Sequence, residues 1–250
     1  MDLKSTLLVV GGSACCFKLL NTVIRFLPTP ELARNKSWKW RNISTSLAHS
    51  SLTGAWAVVC FYIQPHMVED LISSQSLLSH SLVAVSTGYF IHDFLDVALN
   101  QSFKRSREVL LHHSLVLSCF SLSVTSRLYV GYAVVSLLVE INSVFLHIRQ
   151  LLLLSGRRNM PGTDVKAPPR PSVTYSVTSA LSLGTLLVFR VCTLAWMTRW
   201  LAAHTERVPR YALTMGTVGL SLISIMNVVL FYRLLRADVL PSTHNTSNGR

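Results

Sequence analysis

Three apolar stretches of the sequence contain side chains that can bind or release a proton. The first holds His92, Asp93 and Asp96, and residues 92 and 96 lie one helical turn apart. An imidazole and a carboxylate at this spacing share one helix face, so His92 and Asp96 can form a pair. Because histidine titrates near neutral pH, such a pair could activate an amine or hydroxyl toward an acyl thioester, or accept the acyl group itself. The same groups could instead bind a lipid headgroup without catalysis.

The other two stretches contribute a pair of adjacent histidines and a further acid. His112 and His113 diverge by about 100° on a helix, so one can face a cavity while the other reaches a neighbouring helix. Glu140 shares a helical stripe with Ser143 and His147. His112, His113 and Glu140 are therefore the candidate catalytic residues.

Ionisable groups inside a membrane span are costly, so each one needs a structural or functional reason. One explanation is that they are packing pairs that fix helix register. Their number at similar depth favours a shared polar cavity instead, in which Arg190 offsets part of the carboxylate charge. His49, alone in its stretch, is predicted to be a packed histidine. The predicted cavity residues are His92, Asp93, Asp96, His112, His113, Glu140, Asn142 and Arg190.

The composition of the chain indicates which elements must position these residues. Of 250 residues, 50% are hydrophobic and 14% are charged, whereas about 25% are charged in a soluble domain. This excludes a soluble domain, a disordered chain and a disulfide-rich scaffold, and it predicts an all-α integral membrane protein. The net charge is +12, but the basic residues lie between apolar stretches, which argues against a nucleic-acid partner.

All five cysteines lie within apolar stretches, without a CxxC motif or a histidine at ligand spacing. Buried cysteine usually behaves as a small hydrophobic residue. No disulfide, no metal site and no cofactor are therefore predicted.

Seven stretches approach the length of about 20 apolar residues that a helix needs to cross the hydrocarbon core. Lys18 interrupts the first stretch, for which a signal peptide is the alternative. We predict seven membrane-spanning helices, six plus an N-terminal one, around a shared polar interior. The predicted spans are Ser5–Ile24, Ile43–Ile63, Leu77–Leu99, Val109–Ser126, Leu128–Ile148, Val173–Met197 and Tyr211–Tyr232.

The loops between these spans differ strongly in positive charge. Alternate loops carry 16 Lys and Arg on one side of the membrane and 5 on the other. Because cytoplasmic loops are enriched in Lys and Arg, the N-terminus is predicted outside and the C-terminus in the cytoplasm. The proline-rich stretch Ser155–Ser172 is predicted to be a flexible cytoplasmic loop.

Several motifs follow one another along the chain in a specific order. They are Trp38–Asn42, Ser46–Ser50, Gly88–Asp93, His112–His113, Leu138–Leu146, Arg149 and Phe231–Asp238. Together they closely resemble the TLC-domain family over roughly residues 38–236. The resemblance divides the chain into an N-terminal transmembrane segment with a basic loop (1–37), a TLC domain (38–236) and a disordered cytoplasmic tail (237–250).

The resemblance implies a helical membrane domain whose helices surround a lipid-accessible cavity. The family includes ceramide synthases, translocon-associated proteins and sensors of membrane composition. Ceramide synthases carry a histidine pair, which His112 and His113 match. They also carry a downstream Asp-x-x-Asp, where this chain has Glu140 and Ser143. Since half of the catalytic pattern is missing, we expect little or no N-acylation of sphingoid bases.

The similar subgroup of the family implies a function in membrane lipid homeostasis. The expected protein regulates phospholipid composition and fluidity by limiting polyunsaturated acyl chains, in the plasma membrane or alternatively in the endoplasmic reticulum. Its expected partners are membrane phospholipids or fatty acyl chains. One alternative is an acyl-CoA-dependent lipid acyltransferase that uses His112 or His113. A second alternative is a non-catalytic membrane adaptor that presents its basic loops to anionic lipid.

Overall fold

The computed structural model describes residues 2–159 and 171–238. In these two ranges the regular elements are helices, with short 3-10 turns at Glu31–Lys36 and Pro65–Val68. The helices are α1 (Leu3–Ile24), α2 (Ser37–Ile63), α3 (Leu77–Asn100), α4 (Phe103–Ser126), α5 (Val130–Leu137), α6 (Glu140–Leu154), α7 (Val173–Leu186), α8 (Thr193–Ala203) and α9 (Arg210–Asp238).

Seven stretches of the described chain are long and apolar enough to cross a membrane. Helices α5 and α6 together form one span, 130–154, and α7 and α8 belong to another, 173–203. The predicted all-α fold class and the predicted seven membrane-spanning helices are confirmed. The orientation of these spans across the membrane stays a prediction.

Polar side chains at the helix starts define where several of the spans begin. The carboxylate of Asp2 accepts a hydrogen bond from the Ser5 amide at the start of α1. Ser76 and Ser79 form a reciprocal capping box at the start of α3. Such caps satisfy backbone amides that have no partner in the first helical turn.

Two of the spans are interrupted by local changes in helix geometry. Between α5 and α6 the amides of Leu138 and Val139 donate to carbonyl oxygens three residues earlier, at 3.1 and 3.3 Å. Between α7 and α8 the segment Leu187–Cys192 forms a π-helical turn. Such irregular turns are often found at functional sites. Here they lie directly beside Glu140 and around Arg190.

Helix α1 packs closely against α3 through small residues. A Cβ atom at Gly88 would lie 2.3 Å from the carbonyl oxygen of Val10, so glycine is required at this crossing. Beside it, the hydroxyl of Ser13 donates to the Val85 carbonyl at 2.7 Å. Small residues and interhelical hydrogen bonds are the usual means of holding helices together in lipid.

A buried ion pair joins α6 to the end of α9. The guanidinium of Arg149 binds the carboxylate of Asp238 through two hydrogen bonds of 2.8 and 2.7 Å. Asp238 also accepts hydrogen bonds from Tyr175 at 2.6 Å and from Ser179, both on α7. The prediction that the disordered tail begins at residue 237 is therefore wrong for residues 237 and 238, because these contacts hold the last helical turn in place.

Two sequence predictions fall largely on the parts of the chain between and beyond the described ranges. Of the proposed flexible loop Ser155–Ser172, the first five and last two residues are described, and Ser172 donates to the Arg157 carbonyl at 2.9 Å. Residues 160–170 of that loop and residues 239–250 of the tail lie outside the described residues.

Candidate functional site

A cavity of about 760 Å³ lies within the helix bundle. Its volume is in the range of roughly 300–1,000 Å³ that is typical of small-molecule sites. Its lining combines apolar residues with polar and ionisable groups. The apolar wall comes from α4, α8 and α9 and includes Leu115, Val116, Phe120, Leu194, Met197, Leu201, Leu220 and Ile223.

A histidine–carboxylate pair connects α4 to α3 at the cavity wall. The Nε2 atom of His113 lies 3.2 Å from Oδ2 of Asp93, and both side chains are buried. The Nδ1 atom of His113 lies 2.8 Å from the carbonyl oxygen of Val109. A carbonyl can only accept, so Nδ1 carries a proton. The Nε2 atom of His113 is close enough to the Asp93 carboxylate for the two side chains to share a proton.

Residues of α2 hold the carboxylates of α3 in place. The side-chain amide of Asn42 donates to Asp93 at 2.6 Å and to Asp96 at 3.2 Å. The indole of Trp38 donates to the same oxygen of Asp96 at 3.1 Å. Asn100 completes the set by donating to Asp96 at 3.3 Å. Asp93 is thus fixed opposite His113.

The predicted pairing of His92 with Asp96 is wrong. Neither residue lines the cavity, and Nε2 of His92 is buried without a hydrogen-bond partner in residues 2–159 and 171–238. The stripe of α3 that does line it contains Tyr89, Asp93 and Val97, spaced by four residues. Because adjacent helix positions point about 100° apart, turning this stripe inward turns residues 92 and 96 away.

His49 of α2 lies against the same wall. Its ring stacks on Tyr89 with centroids 3.7 Å apart, and the Tyr89 hydroxyl donates to Ser46 at 2.9 Å. The Nε2 atom of His49 is buried and has no hydrogen-bond partner within the described part of the chain, although the residue lines the cavity. His49 is packed, as predicted, but it is not isolated. The overlooked signal is the polar stripe of α2 at Asn42, Ser46, His49 and Ser50, which follows helical spacing.

Glu140, the first residue of α6, accepts a hydrogen bond of 2.6 Å from Ser50. Three residues along α6, Ser143 accepts a hydrogen bond of 2.9 Å from Arg190, whose other terminal nitrogen donates to Asn227 of α9 at 2.8 Å. In the described chain Arg190 has no carboxylate within ion-pair distance. Arg190 therefore does not pair directly with a carboxylate, because the π-helical turn places it beside two neutral groups, and its predicted role of offsetting carboxylate charge stays a prediction.

Asn142 is the third predicted cavity residue that the structure places elsewhere. Its amide donates to the Ser182 carbonyl at 2.8 Å and to the Thr185 hydroxyl at 2.9 Å, both on α7. Asn142 follows Glu140 by two residues, so it points to nearly the opposite side of α6. It joins α6 to α7 rather than lining the cavity.

The two adjacent histidines have different surroundings. His113 reaches across to Asp93 on α3, whereas His112 faces the cavity without a hydrogen bond to the described residues. Their ring centroids are 5.5 Å apart. The structure thus brings His112, His113, Asp93, Glu140 and Arg190 to one cavity, together with His147.

A charged rim surrounds one part of the cavity and was not found from the sequence. Glu108 of α4 and Arg233 of α9 form two hydrogen bonds of 3.1 and 3.0 Å. Their side chains are 49% and 60% exposed. Lys39 and Arg105 also line the cavity. The rim therefore joins α4 to α9 and is mainly basic.

The fold and the site define a multi-pass helical membrane protein with an internal, partly polar cavity. The model of the TLC domain family matches residues 39–236, and the chain belongs to this family. The family predicted from the motifs is confirmed.

Individual relatives match almost the whole chain. It is 49% identical to TLC domain-containing protein 2 of Danio rerio, over 97% of this chain and 94% of that protein. It is 42% identical to TLC domain-containing protein 2 of Homo sapiens, over 97% of this chain and 88% of that protein. Identity to TLC domain-containing protein 1 of Gallus gallus is 35%, over 97% and 92% of the two chains.

Proposed function

We propose that this protein regulates the phospholipid composition and fluidity of its membrane by holding one acyl chain in the cavity. The observation that carries this proposal is a 760 Å³ cavity whose lining combines an apolar wall with polar and ionisable groups. The acyl chain would lie along the apolar wall, and its ester, carboxyl or headgroup would contact the polar groups. The regulated quantity is the share of polyunsaturated chains, and the membrane is the plasma membrane, with the endoplasmic reticulum as the alternative.

The physics of the bilayer limits how such a cavity selects its ligand. An acyl chain in the membrane is already surrounded by hydrocarbon, so entering the cavity gains little from the hydrophobic effect. Selectivity must therefore come from shape and from polar contacts. Rings and branched side chains such as Phe120, Leu194 and Leu201 form a wall of fixed shape that can separate a straight chain from one with several rigid double bonds.

Filling the cavity tests this function with a matched control. Gly219 lines the cavity, and a Cβ atom there would lie 3.0 Å from Leu115. Gly184 of α7 has open space around the same position and does not line the cavity. Cells lacking the protein would be rescued with wild type, Gly219→Leu or Gly184→Leu, and their phospholipids measured by mass spectrometry.

We expect wild type and Gly184→Leu to lower the polyunsaturated fraction, and Gly219→Leu to fail at equal expression. Equal rescue by both glycine variants would contradict a function that depends on the cavity.

The pairing of His113 with Asp93 favours acyl transfer as a second candidate function. The imidazole of His112, which has no hydrogen bond to the described residues, would take the proton from an amine or hydroxyl acceptor as that atom attacks an acyl-CoA thioester carbonyl, and the CoA thiolate would leave and be protonated. The carboxylate of Asp93, which faces the adjacent His113, would offset the charge of the imidazolium. His112 and Glu140 face the same space. Acyl-CoA is the cosubstrate that this alternative requires.

Sphinganine is not the expected acceptor for such a reaction. In the ceramide synthase pattern two acids occupy the positions of Glu140 and Ser143, so the second acid is replaced here by a neutral group. Glu140 accepts a hydrogen bond from Ser50, and Ser143 accepts one from Arg190. Purified protein incubated with acyl-CoAs and a panel of amine and alcohol acceptors tests the alternative. Transfer that disappears in His113→Ala would support an enzyme, and robust acylation of sphinganine would show that the expectation about sphingoid bases is wrong.

A further inference from the structure

The most unusual group in the cavity wall is the guanidinium of Arg190. It lies in the π-helical turn Leu187–Cys192, within the sixth membrane span. A cation inside a span is costly unless an opposite charge or several hydrogen bonds compensate it. The described residues offer no carboxylate within ion-pair distance of Arg190.

The described residues satisfy only part of the hydrogen-bonding capacity of the Arg190 guanidinium. Arg190 has five N–H groups, of which one donates to Asn227 and one to Ser143. Its Nε atom is buried without a hydrogen-bond partner among the described residues. Glu140, the acid of the same wall, is already engaged by Ser50 at 2.6 Å. The positive charge of Arg190 therefore has no ion-pair partner among the described residues.

A second polar group at the cavity is also without a partner. His49 is 1% exposed and lines the cavity, and its Nε2 atom has no hydrogen bond in the described chain. His112 and His147 line the cavity as well. The carboxylates of the cavity lining are each engaged by another side chain: Asp93 by His113, Glu108 by Arg233 and Glu140 by Ser50. The guanidinium of Arg190 has no such carboxylate partner in the described chain, which favours a ligand that brings a negative charge.

We propose that Arg190 binds the carboxylate of an unesterified long-chain fatty acid, with the chain lying along the apolar wall formed by α4, α8 and α9. This inference rests on the proposed function and specifies the ligand of the same cavity. A guanidinium matches a carboxylate through two parallel N–H donors, and such charge-assisted hydrogen bonds are strong away from water. A single cation between Ser143 and Asn227 also suits a small head of one charge better than a bulky headgroup.

A competition assay separates the carboxylate from the chain. Purified full-length protein in lipid nanodiscs would be labelled with a photoactivatable fatty acid, and labelling would be competed by oleate, methyl oleate or lysophosphatidate. Oleate and methyl oleate share one chain and differ in charge at the head. We expect oleate to compete at least about tenfold better than methyl oleate, the value of one charge-assisted hydrogen bond.

Substitutions at Arg190 test whether the preference for oleate over methyl oleate depends on the guanidinium. Arg190→Gln should bring the ratio of oleate to methyl oleate close to one while methyl oleate still competes. Arg190→Lys keeps the charge without the planar fork and should reduce the ratio only in part. If Arg190→Gln does not fold, Arg190→Lys provides the test. A ratio of oleate to methyl oleate in Arg190→Lys equal to that of the wild type would overturn the proposal that Arg190 binds the carboxylate.

The remaining outcomes distinguish this inference from the function on which it rests. Equal competition by oleate and methyl oleate in the wild type overturns the carboxylate site and leaves the lipid cavity standing. Stronger competition by lysophosphatidate than by oleate overturns the choice of a carboxylate. Competition by none of the three lipids overturns the inference and the proposed function together.

Discussion

The Nε2 atom of His113 on α4 lies 3.2 Å from the carboxylate of Asp93 on α3, at the wall of the internal cavity. The Nδ1 atom of His113 lies 2.8 Å from the Val109 carbonyl oxygen, which leaves Nε2 facing the carboxylate. This arrangement joins two membrane-spanning helices beside the space where a lipid would lie. The pair therefore has a structural role and a potential chemical one.

Energetic coupling between His113 and Asp93 is the first prediction. Asp93→Asn removes the charge that His113 faces, and His113→Gln removes the imidazole that Asp93 faces. We expect each variant to unfold at a lower temperature, and the double variant to cost about 1 kcal/mol less than the sum of the two. Thermal unfolding in detergent measures all four proteins. Strictly additive losses would show that the two side chains do not interact.

Two ion pairs of different burial give the second prediction. Asp238→Asn leaves Arg149 buried without its partner, which costs about 3–5 kcal/mol for a buried pair. Glu108→Gln breaks the exposed bridge to Arg233, which is worth about 0–1 kcal/mol. The exposed fractions of the paired side chains are 10% and 6% in the first case and 60% and 49% in the second. Chemical denaturation compares the two variants, and equal losses would contradict an ordered helix end at Asp238.

The crossing of α1 and α3 gives the third prediction. Gly88→Ala places a Cβ atom 2.3 Å from the Val10 carbonyl oxygen, so the helices must separate at a cost of about 1–3 kcal/mol. Gly12→Ala on α1 has open space and serves as the control. A cysteine pair at Ser13 and Val85 reports the helix contact through crosslinking. Crosslinking that is as efficient in Gly88→Ala as in Gly12→Ala would refute this packing.

The fourth prediction concerns orientation and follows from the loop charges. A tag at Ser73 should face the outside and a tag at Asn245 the cytoplasm, because 16 of the 23 Lys and Arg lie on the predicted cytoplasmic side. Antibody access before and after selective permeabilisation measures each tag. Access to both tags from the same side would exclude this arrangement.

The number of spans could be predicted from the sequence because the bilayer sets helix length. Backbone groups have no water to bind in hydrocarbon, so an apolar stretch of sufficient length becomes a helix whatever its neighbours are. The interruptions were not predicted. Neither Leu138–Val139 nor Leu187–Cys192 contains a proline or glycine that would mark a change in helix geometry.

The polar site was predicted as a set but not in its pairings. Residues 92 and 96 share one face of α3, and residues 89, 93 and 97 share another. Which face points to the cavity depends on contacts with α2 and α4, and the sequence of α3 alone does not specify these contacts. Asn42 of α2 and His113 of α4 both contact Asp93, which orients this face of α3 toward the cavity. The contacts of Arg190 could not be predicted for the same reason, because its partners Ser143 and Asn227 lie on two other helices.

Photo-crosslinking with a lipid that carries a diazirine in its acyl chain tests most directly whether the cavity holds that chain. After digestion and mass spectrometry, we expect labels on cavity residues such as Phe120, Met197 and Leu220, lost in Gly219→Leu and kept in Gly184→Leu. Labels confined to outward-facing residues such as Leu181 and Val228, and unchanged by Gly219→Leu, would contradict a lipid-binding cavity.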